Sequence, residues 1–364
     1  MAGASEGTGS DRADVDLPKP GVRIPRWALA VILLVAVVAI MSVVFGGNAA
    51  QAALRGVAVG SIYVLGASGL SLTYGIKKFA NFAHGDLMTV GAYVAFTLNV
   101  AAGQHILAGV VFAILAVALL GIFLELSIFR RLEGRAPVAA LIASVGVSLV
   151  LQNVLAAIFT GNVQYLNVGV PRDVPIGGTG LSFNFVKDGV ALAVSAGFVI
   201  FLHVMLSRTT LGKAMRACAD DLDLARTSGI NTRNVILWTW VIAGSFAAVA
   251  GVLLAIIVNV YPLLGFFVLL FIFAAVIVGG IGSPYGAMLG GLIIGVVQEL
   301  SKFIFVSMQQ AGLIEGGAEY GPVGAFLVMI AVLLFMPQGL MGVRRHAMGG
   351  RVLARRVRRR TEGA

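Results

Sequence analysis

The chain has 364 residues, of which 59% are hydrophobic and 12% charged, and its formal net charge is +10. A soluble protein of this length carries roughly twice that charged fraction, so the composition indicates a polytopic membrane protein. A β-barrel is disfavoured because the apolar stretches are continuous rather than alternating. Glycine accounts for 47 residues, and small residues let membrane helices pack closely. The predicted fold class is therefore all-α.

The excess of Lys and Arg is explained better by membrane topology than by nucleic-acid binding, so no nucleic-acid partner is predicted. Cys218 is the single cysteine, which excludes an internal disulfide framework and a Cys-rich metal site. The sequence also lacks the Walker, HExxH and GxSxG motifs. We therefore expect a protein with no catalytic residues, no metal site and no bound cofactor, which cannot hydrolyse ATP itself.

The N-terminal region divides into a polar segment and a first apolar run. Residues 1–26 are rich in Gly, Ser and Asp and are predicted to be disordered on the cytoplasmic side. Trp27–Phe45 is long enough to span a membrane and is interpreted as an additional N-terminal transmembrane helix. Small residues at 48–52 resemble a signal-peptidase site, so cleavage after this run is the alternative.

The remaining apolar segments bring the prediction to about ten transmembrane helices, or nine if the first is removed. The interval 234–298 has no charged residue and is divided by Pro262 and by a Gly-Ser-Pro turn at 282–284, which gives three spans. The predicted spans after the first are 51–73, 86–103, 106–128, 137–160, 188–206, 235–259, 263–282, 285–308 and 322–338.

The distribution of basic residues predicts the orientation of these spans. With the N-terminus inside, all but four of the 26 basic residues fall on the cytoplasmic side. The C-terminus is then cytoplasmic as well, and the basic tail at 343–364 is predicted to anchor to the surface of membrane lipid. The longest exterior segment, 161–187, contains turn residues and short β-prone pieces.

The cytoplasmic loop at 207–234 is long, charged and patterned like a helix. Its apolar residues recur at spacings of four and three, which places them on one face. This apolar strip comprises Leu211, Met215, Cys218, Leu222 and Ala225. The polar positions include Arg216, Asp220, Asp221 and Arg226. Gly229 is predicted to stop the helix, and Asn231 or Thr232 to cap the next one.

Polar residues also occur where one apolar span ends and another begins. Asn81, His84 and Asp86 are interpreted as candidates for a translocation path, because polar groups at membrane depth need partners or a water-lined cavity. The alternative is a polar turn that fixes helix packing. Gly282, Gly286 and Gly290 lie four apart and are predicted to mediate helix packing, as are Gly291 and Gly295.

Four further side chains have a local interpretation. Glu299 and Lys302 are three apart, which predicts an ion pair on one helix face. Glu125 precedes a basic loop and is predicted to pair with Arg130 or Arg131. His203, near a helix end, is interpreted as packed or as reaching the membrane interface.

Three segments together resemble the permease subunits of branched-chain amino-acid ABC importers, particularly the LivH type. The first is Asn-Phe-Ala-His-Gly-Asp at 81–86, and the second is Gly-Lys-Ala-Met-Arg-Ala at 212–217, which continues to Gly229. The third is Gly-Gly-Ile-Gly-Ser at 279–283 with the glycines that follow. The likeness extends from about residue 50 to 342.

The resemblance implies a pore subunit of an inner-membrane importer in a prokaryote, working by alternating access. It implies a second, related or identical permease subunit, two ABC ATPase subunits and an extracytoplasmic substrate-binding protein as partners. It also implies that 209–230 is the coupling loop, with Arg216, Asp220, Asp221, Arg226 and Gly229 as the residues that meet the ATPase. Either the apolar strip or the polar face is then the docking surface.

The chain departs from the family at Phe271-Ile272-Phe273, where Lys-Ala-Phe is common, so a cation is missing there. Related permeases carry urea or other amides, and such a ligand is the first alternative. An ion-gradient-driven secondary transporter is the second, although the ionisable residues cluster at helix ends rather than at mid-span.

Overall fold

The computed structural model describes residues 25–169, 173–176 and 181–341. The polar N-terminal segment before Pro25 and the basic tail therefore lie outside the described residues. The helices are α1 Arg26–Phe45, α2 Gly47–Lys77, α3 Ala83–Phe96, α4 Ile106–Ser127, α5 Pro137–Phe159, α6 Val190–Arg208, α7 Thr210–Asp220, α8 Leu222–Thr227, α9 Thr232–Val258, α10 Leu264–Gly279, α11 Pro284–Gln310 and α12 Gly321–Phe335. The two strands, β1 Asp173–Ile176 and β2 Leu181–Asn184, pair antiparallel.

Eight helical segments of the described chain are long and apolar enough to cross a membrane, and α10 is a shorter apolar helix. A π-helical turn, Thr97–Ala101, extends α3. Lys78, in the connection from α2 to α3, donates a hydrogen bond to the loop between α6 and α9. At the other end of the bundle, Asn99 accepts a hydrogen bond from the amide of Asn167. The segment from α3 to Ala101 therefore also crosses, and the predicted all-α polytopic fold is confirmed.

The centre of the bundle is built around α2, which packs most extensively against α11, α9 and α10. Most of α2 is buried, although its sequence is less apolar than that of the peripheral helices. By contrast, α4, α5 and α6 expose large apolar side chains on one face, where membrane lipid replaces protein contacts. The burial pattern thus separates a protein-facing core from a lipid-facing rim.

The additional helix α1 lies at the rim of this core. It is uniformly apolar, and Leu34, Val38 and Met41 contact a small buried cluster formed by α2 and α11. Phe45, at its end, packs edge-to-face on Phe303 with ring centroids 5.7 Å apart. These contacts attach α1 mainly to α2, with Phe303 of α11 at its end.

Two rows of glycine on α11 face two different helices. A Cβ at Gly286 or Gly290 would collide with the backbone of α10, at Gly279 and Ala275 respectively. The residue next to Gly290, Gly291, faces α2 instead, where a Cβ would lie 2.7 Å from the amide nitrogen of Val64. The absence of side chains therefore allows α11 to approach both helices closely.

Gly282 does not belong to this interface. It lies in the turn between α10 and α11 with a φ of +81°, and a Cβ there would meet nothing closer than 3.8 Å. Glycine is needed at this position for its left-handed backbone conformation rather than for helix packing. Spacing of four residues alone could not distinguish a turn residue from the helix that follows it.

We expect Gly290→Ala to lower the free energy of unfolding by about 1–3 kcal/mol, because the added methyl group has to displace the backbone of α10. Gly197→Ala is the matched control, since a Cβ at this position in α6 meets no atom within 4 Å. Thermal unfolding of the two purified variants in the same detergent measures the difference. Equal melting temperatures would contradict the close-approach explanation.

The exterior segment contains the short hairpin of β1 and β2, as the β-prone residues predicted. Gln51 of α2 holds this hairpin through two hydrogen bonds of 2.8 Å to the backbone of Ser182. A second exterior contact joins Gln164 and Val260 by backbone hydrogen bonds of 2.8 and 2.9 Å. His203 is exposed near the end of α6, and its Nδ1 lies 3.1 Å from the hydroxyl of Tyr285.

Candidate functional site

The loop at 207–234 forms two helices, α7 and α8, so the prediction of a single continuous helix is wrong. Thr209 caps α7 by accepting a 3.0 Å hydrogen bond from the amide of Gly212. At Asp221 the backbone becomes extended, and its carboxylate accepts from the amides of Asp223 and Leu224 at 3.0 and 2.9 Å. An aspartate that caps the following turn competes with continuation of the helix, which explains the break.

The apolar strip of this loop packs back onto the membrane domain. Met215, Cys218 and Ala225 are buried in the main core, while Leu211 and Leu222 are partly buried against it. Helix α7 contacts α6, α9 and α2. Of the two docking surfaces that the sequence left open, the strip is therefore covered by the chain itself, and the polar face points outward.

Gly212 permits the close contact between α7 and α6. A Cβ at this position would collide with the backbone of Met205 and Leu206. Arg216, on the next turn of α7, donates to the carbonyl oxygen of Leu206 at the end of α6. A cation at a helix C-terminus satisfies carbonyl groups that have no partner within the helix. Helix α7 is thus fixed to α6 by backbone contact as well as by its apolar strip.

Most of the predicted coupling residues have partners within the chain. Arg226 forms an ion pair of 3.0 Å with Glu133, in the loop between α4 and α5, and approaches Asp223 at 3.9 Å. Gly229 adopts a φ of +83° after α8, and Asn231 caps α9 with a hydrogen bond of 3.2 Å. Asp220, by contrast, is exposed and makes no hydrogen bond or ion pair among the described residues.

A buried ion pair lies directly above the loop. Lys77, at the end of α2, is 2.8 Å from Glu125 of α4, and their side chains are 8% and 3% exposed. The indole nitrogen of Trp240, on α9, donates to the second carboxylate oxygen at 2.7 Å. Glu125 therefore joins three helices, and the predicted pairing with Arg130 or Arg131 is wrong. Lys77 reaches this carboxylate from another helix, whereas neither Arg130 nor Arg131 forms an ion pair with it among the described residues.

Lys78 links this ion pair to the loop. Its backbone is left-handed with a φ of 58°, and its Nζ donates to the carbonyl oxygen of Ala219 on α7 at 2.6 Å. The sequence reasoning missed both lysine contacts. A usable signal existed, since two lysines end one span and a glutamate ends another on the same side of the membrane. Together these contacts connect α7 to α2, and through Glu125 to α4 and α9.

The polar residues at the start of α3 are all buried, but they face different helices. His84 lies 3.0 Å from the carbonyl oxygen of Gly66 on α2. Asp86 faces Ser148 and Gln152 on α5, although neither of its carboxylate oxygens completes a hydrogen bond. The oxygen of Asn81 accepts from the amide of Ala83 at 3.1 Å, while its nitrogen has no partner. The structure therefore does not bring the three side chains to one site.

The backbone before α3 explains why these groups are buried. Lys78–Phe82 is not helical, and Phe79 and Asn81 within it are buried. The amide of Phe82 donates to the hydroxyl of Ser144 on α5 at 3.0 Å. Irregular backbone at membrane depth is tolerated where protein groups satisfy it. These contacts are more typical of a polar turn that fixes helix packing than of residues that line a pore.

We expect His84→Ala to lower the free energy of unfolding by about 1–3 kcal/mol, because it removes a buried hydrogen bond to the carbonyl oxygen of Gly66. His84→Gln is the conservative comparison, since an amide nitrogen can still donate to that carbonyl. Unfolding in detergent and uptake per folded molecule are both measured. A loss of uptake at unchanged stability would instead place His84 on the translocation path.

The bundle of membrane-spanning helices and the exposed polar face of the loop at 207–234 are features of the permease of a transport system. Residues 52–336 match the family described as branched-chain amino acid transport system / permease component, and the chain belongs to that family. Helix α1 precedes the matched region.

Three curated relatives show how far the similarity extends. The high-affinity branched-chain amino acid transport system permease protein BraD of Pseudomonas aeruginosa is 34% identical over 80% of this chain and 95% of its own length. LivH of Escherichia coli K12, described in the same words, is 35% identical with the same coverage. The probable LivH of Methanocaldococcus jannaschii is 33% identical over 78% and 89% respectively. No solved structure is significantly similar to this chain.

Proposed function

We propose that this chain is the pore subunit of an ATP-driven importer for branched-chain amino acids. Relatives at 34% and 35% identity over 80% of the chain are named as permease proteins of high-affinity branched-chain amino acid transport systems, which supports the ligand class. The partners are two ABC ATPase subunits, a second permease subunit and an extracytoplasmic substrate-binding protein. The complex resides in the plasma membrane of a prokaryote, with both termini of this chain in the cytoplasm.

The observation that supports the mechanism is the way α7 is attached to the transmembrane helices. Its apolar face is buried against the transmembrane helices, and Arg216 and Lys78 bind it to α6 and α2. Its polar face, with Lys213 and Asp220, remains exposed. An ATPase that binds this face transmits its movement directly to α2, α6 and α9. ATP binding then shifts the bundle between inward-facing and outward-facing states through the differential affinity of those states for the partner.

The function is tested by reconstituting the chain with its co-purifying ATPase, permease and binding protein in proteoliposomes. We expect ATP-dependent uptake of radiolabelled leucine, isoleucine and valine, and stimulation of ATP hydrolysis by the loaded binding protein. Stimulation of ATP hydrolysis by urea or acetamide alone would show that the ligand is an amide, while the assignment as an ATP-driven importer would stand. Uptake that follows an imposed proton or sodium gradient without ATP would overturn the proposal.

A further inference from the structure

A cavity of about 970 Å³ lies at the outer end of the bundle, under the hairpin. Its wall is formed by α2, α9, α10 and α11 together with the segment that leads into α6. Six charged side chains line it: Arg55, Asp173, Lys187, Asp188, Glu299 and Lys302. Three are basic and three acidic, so the lining as a whole is neutral while carrying both signs. We call this cavity the outer vestibule.

The charges of the outer vestibule are mostly not neutralised by one another. Arg55 approaches Asp173 at 3.6 Å, and both side chains are about half exposed. The ion pair predicted between Glu299 and Lys302 does not form. Among the described residues, Glu299, Lys302 and Lys187 all lack an ion-pair partner within 4.0 Å. Both side chains of the predicted pair line the outer vestibule without pairing with each other. Unpaired charges of opposite sign are thus available to a ligand.

The remaining wall is largely apolar, and Tyr63, Gln298 and Phe271 lie at its inner end. Leu254 and Ile257 of α9 and Phe267 of α10 line the side of the cavity. At its base the hydroxyl of Tyr63 donates to Gln298 at 2.7 Å. The ring of Tyr63 also stacks on Phe271, with centroids 5.6 Å apart and planes 4° from parallel. A ligand that enters the outer vestibule therefore meets a barrier formed by α2, α10 and α11.

We propose that the outer vestibule receives a free amino acid with an apolar side chain, released from the binding protein, before the pore opens. The carboxylate is held by Lys187 and Lys302, and the ammonium group by Glu299. The aliphatic side chain lies against Leu254, Ile257 and Phe267. This inference rests on the proposed function, and it assigns the contact with the ligand to residues outside the three sequence motifs.

The dimensions of the cavity fit a transit site. At about 970 Å³ the cavity is at the upper end of the range for small-ligand pockets, about 300–1,000 Å³, so a single amino acid leaves part of it unfilled. A conducting site has to bind strongly enough to admit its ligand and weakly enough to release it. The stacked ring of Phe271 forms part of the barrier. Lys302 on α11 and Lys187 before α6 supply the positive charge for the carboxylate of the ligand.

The test uses Glu299→Gln and Lys302→Gln in the complete reconstituted importer, with Glu315→Gln as the control. Glu315 is exposed in the connection that follows α11 and does not line the outer vestibule. Two quantities are measured for each: leucine transported per ATP hydrolysed, and the affinity of the complex for the loaded binding protein. We expect transport per ATP to fall about tenfold in either vestibule variant, the loss typical of one charge-assisted contact. Binding-protein affinity and the Glu315 variant should be unchanged.

Three results would overturn the proposal. Unchanged transport per ATP in both vestibule variants would show that these charges do not contact the ligand. A fall in binding-protein affinity that accounts for the whole loss of transport would identify the surface as a protein-docking site. An equal loss in the Glu315 variant would show a general effect of charge. Failure of the unmodified complex to transport leucine would instead refute the proposed function, so the two failures are distinguishable.

Discussion

Glu125→Ala is expected to lower the free energy of unfolding by about 3–5 kcal/mol, because it leaves the ammonium group of Lys77 buried without an anion. Both side chains are more than nine-tenths buried. The indole of Trp240 loses its hydrogen-bond acceptor in the same step. Reversible unfolding in mixed detergent micelles measures the change, and the loosening of α2, α4 and α9 should also lower uptake.

The double variant Lys77→Met with Glu125→Gln is the control for charge burial. It removes both charges together, and the new amide oxygen can still accept from Trp240. Because replacing a buried pair often costs little, we expect most of the lost stability to return. If the double variant is as unstable as Glu125→Ala, the ion pair is not the source of the effect.

The pair of Arg226 and Glu133 provides a second comparison. It has a similar separation of 3.0 Å, but its side chains are 55% and 34% exposed. Exposed pairs contribute about 0–1 kcal/mol, so Glu133→Ala should change the unfolding free energy far less than Glu125→Ala. The contrast separates burial from distance as the reason for the large effect.

The transmembrane helices could be predicted because hydrophobic runs determine them locally. The spans predicted at 106–128 and 137–160 agree within one residue with α4, Ile106–Ser127, and α5, Pro137–Phe159. Helix α2 is longer than predicted at both ends, since Gly47–Lys77 includes polar residues that its neighbours satisfy. Length and apolar composition thus define where a helix crosses more sharply than where it ends.

The contacts of the candidate sites could not be predicted, because they join residues distant in sequence. Lys77 and Glu125 are 48 positions apart, and Tyr63 and Gln298 are separated by 235. Local spacing instead favoured the neighbours Arg130, Arg131 and Lys302, which the structure does not pair with their predicted partners. The break at Asp221 was missed for a related reason. The helical periodicity of the apolar residues continues through this position, although the side chain of Asp221 ends one helix and caps the next.

The exposed end of α7 offers the sharpest test of the coupling proposal. Asp220 makes no hydrogen bond or ion pair among the described residues, so changing it leaves the internal contacts of α7 intact. Arg216 is a poorer probe, because Arg216→Glu also removes the bond to Leu206 and is expected to destabilise the chain. A loss of function on changing Asp220 is therefore attributable to a partner rather than to folding.

We expect Asp220→Arg to reduce ATP-dependent uptake at least about tenfold while the unfolding transition stays within error of the unmodified chain, since like charges at an interface cost several kcal/mol. Asp220→Asn removes the charge without reversing it and should give a smaller loss. Glu315→Arg, at the other end of the bundle, is the matched charge reversal and should leave ATPase association unchanged. The ATPase retained on the purified chain is measured alongside uptake. If Asp220→Arg retains the ATPase fully and takes up substrate normally, the polar face of α7 is not part of the coupling surface. The loop between α4 and α5, which Arg226 of α8 contacts through Glu133, would then be the contact to examine.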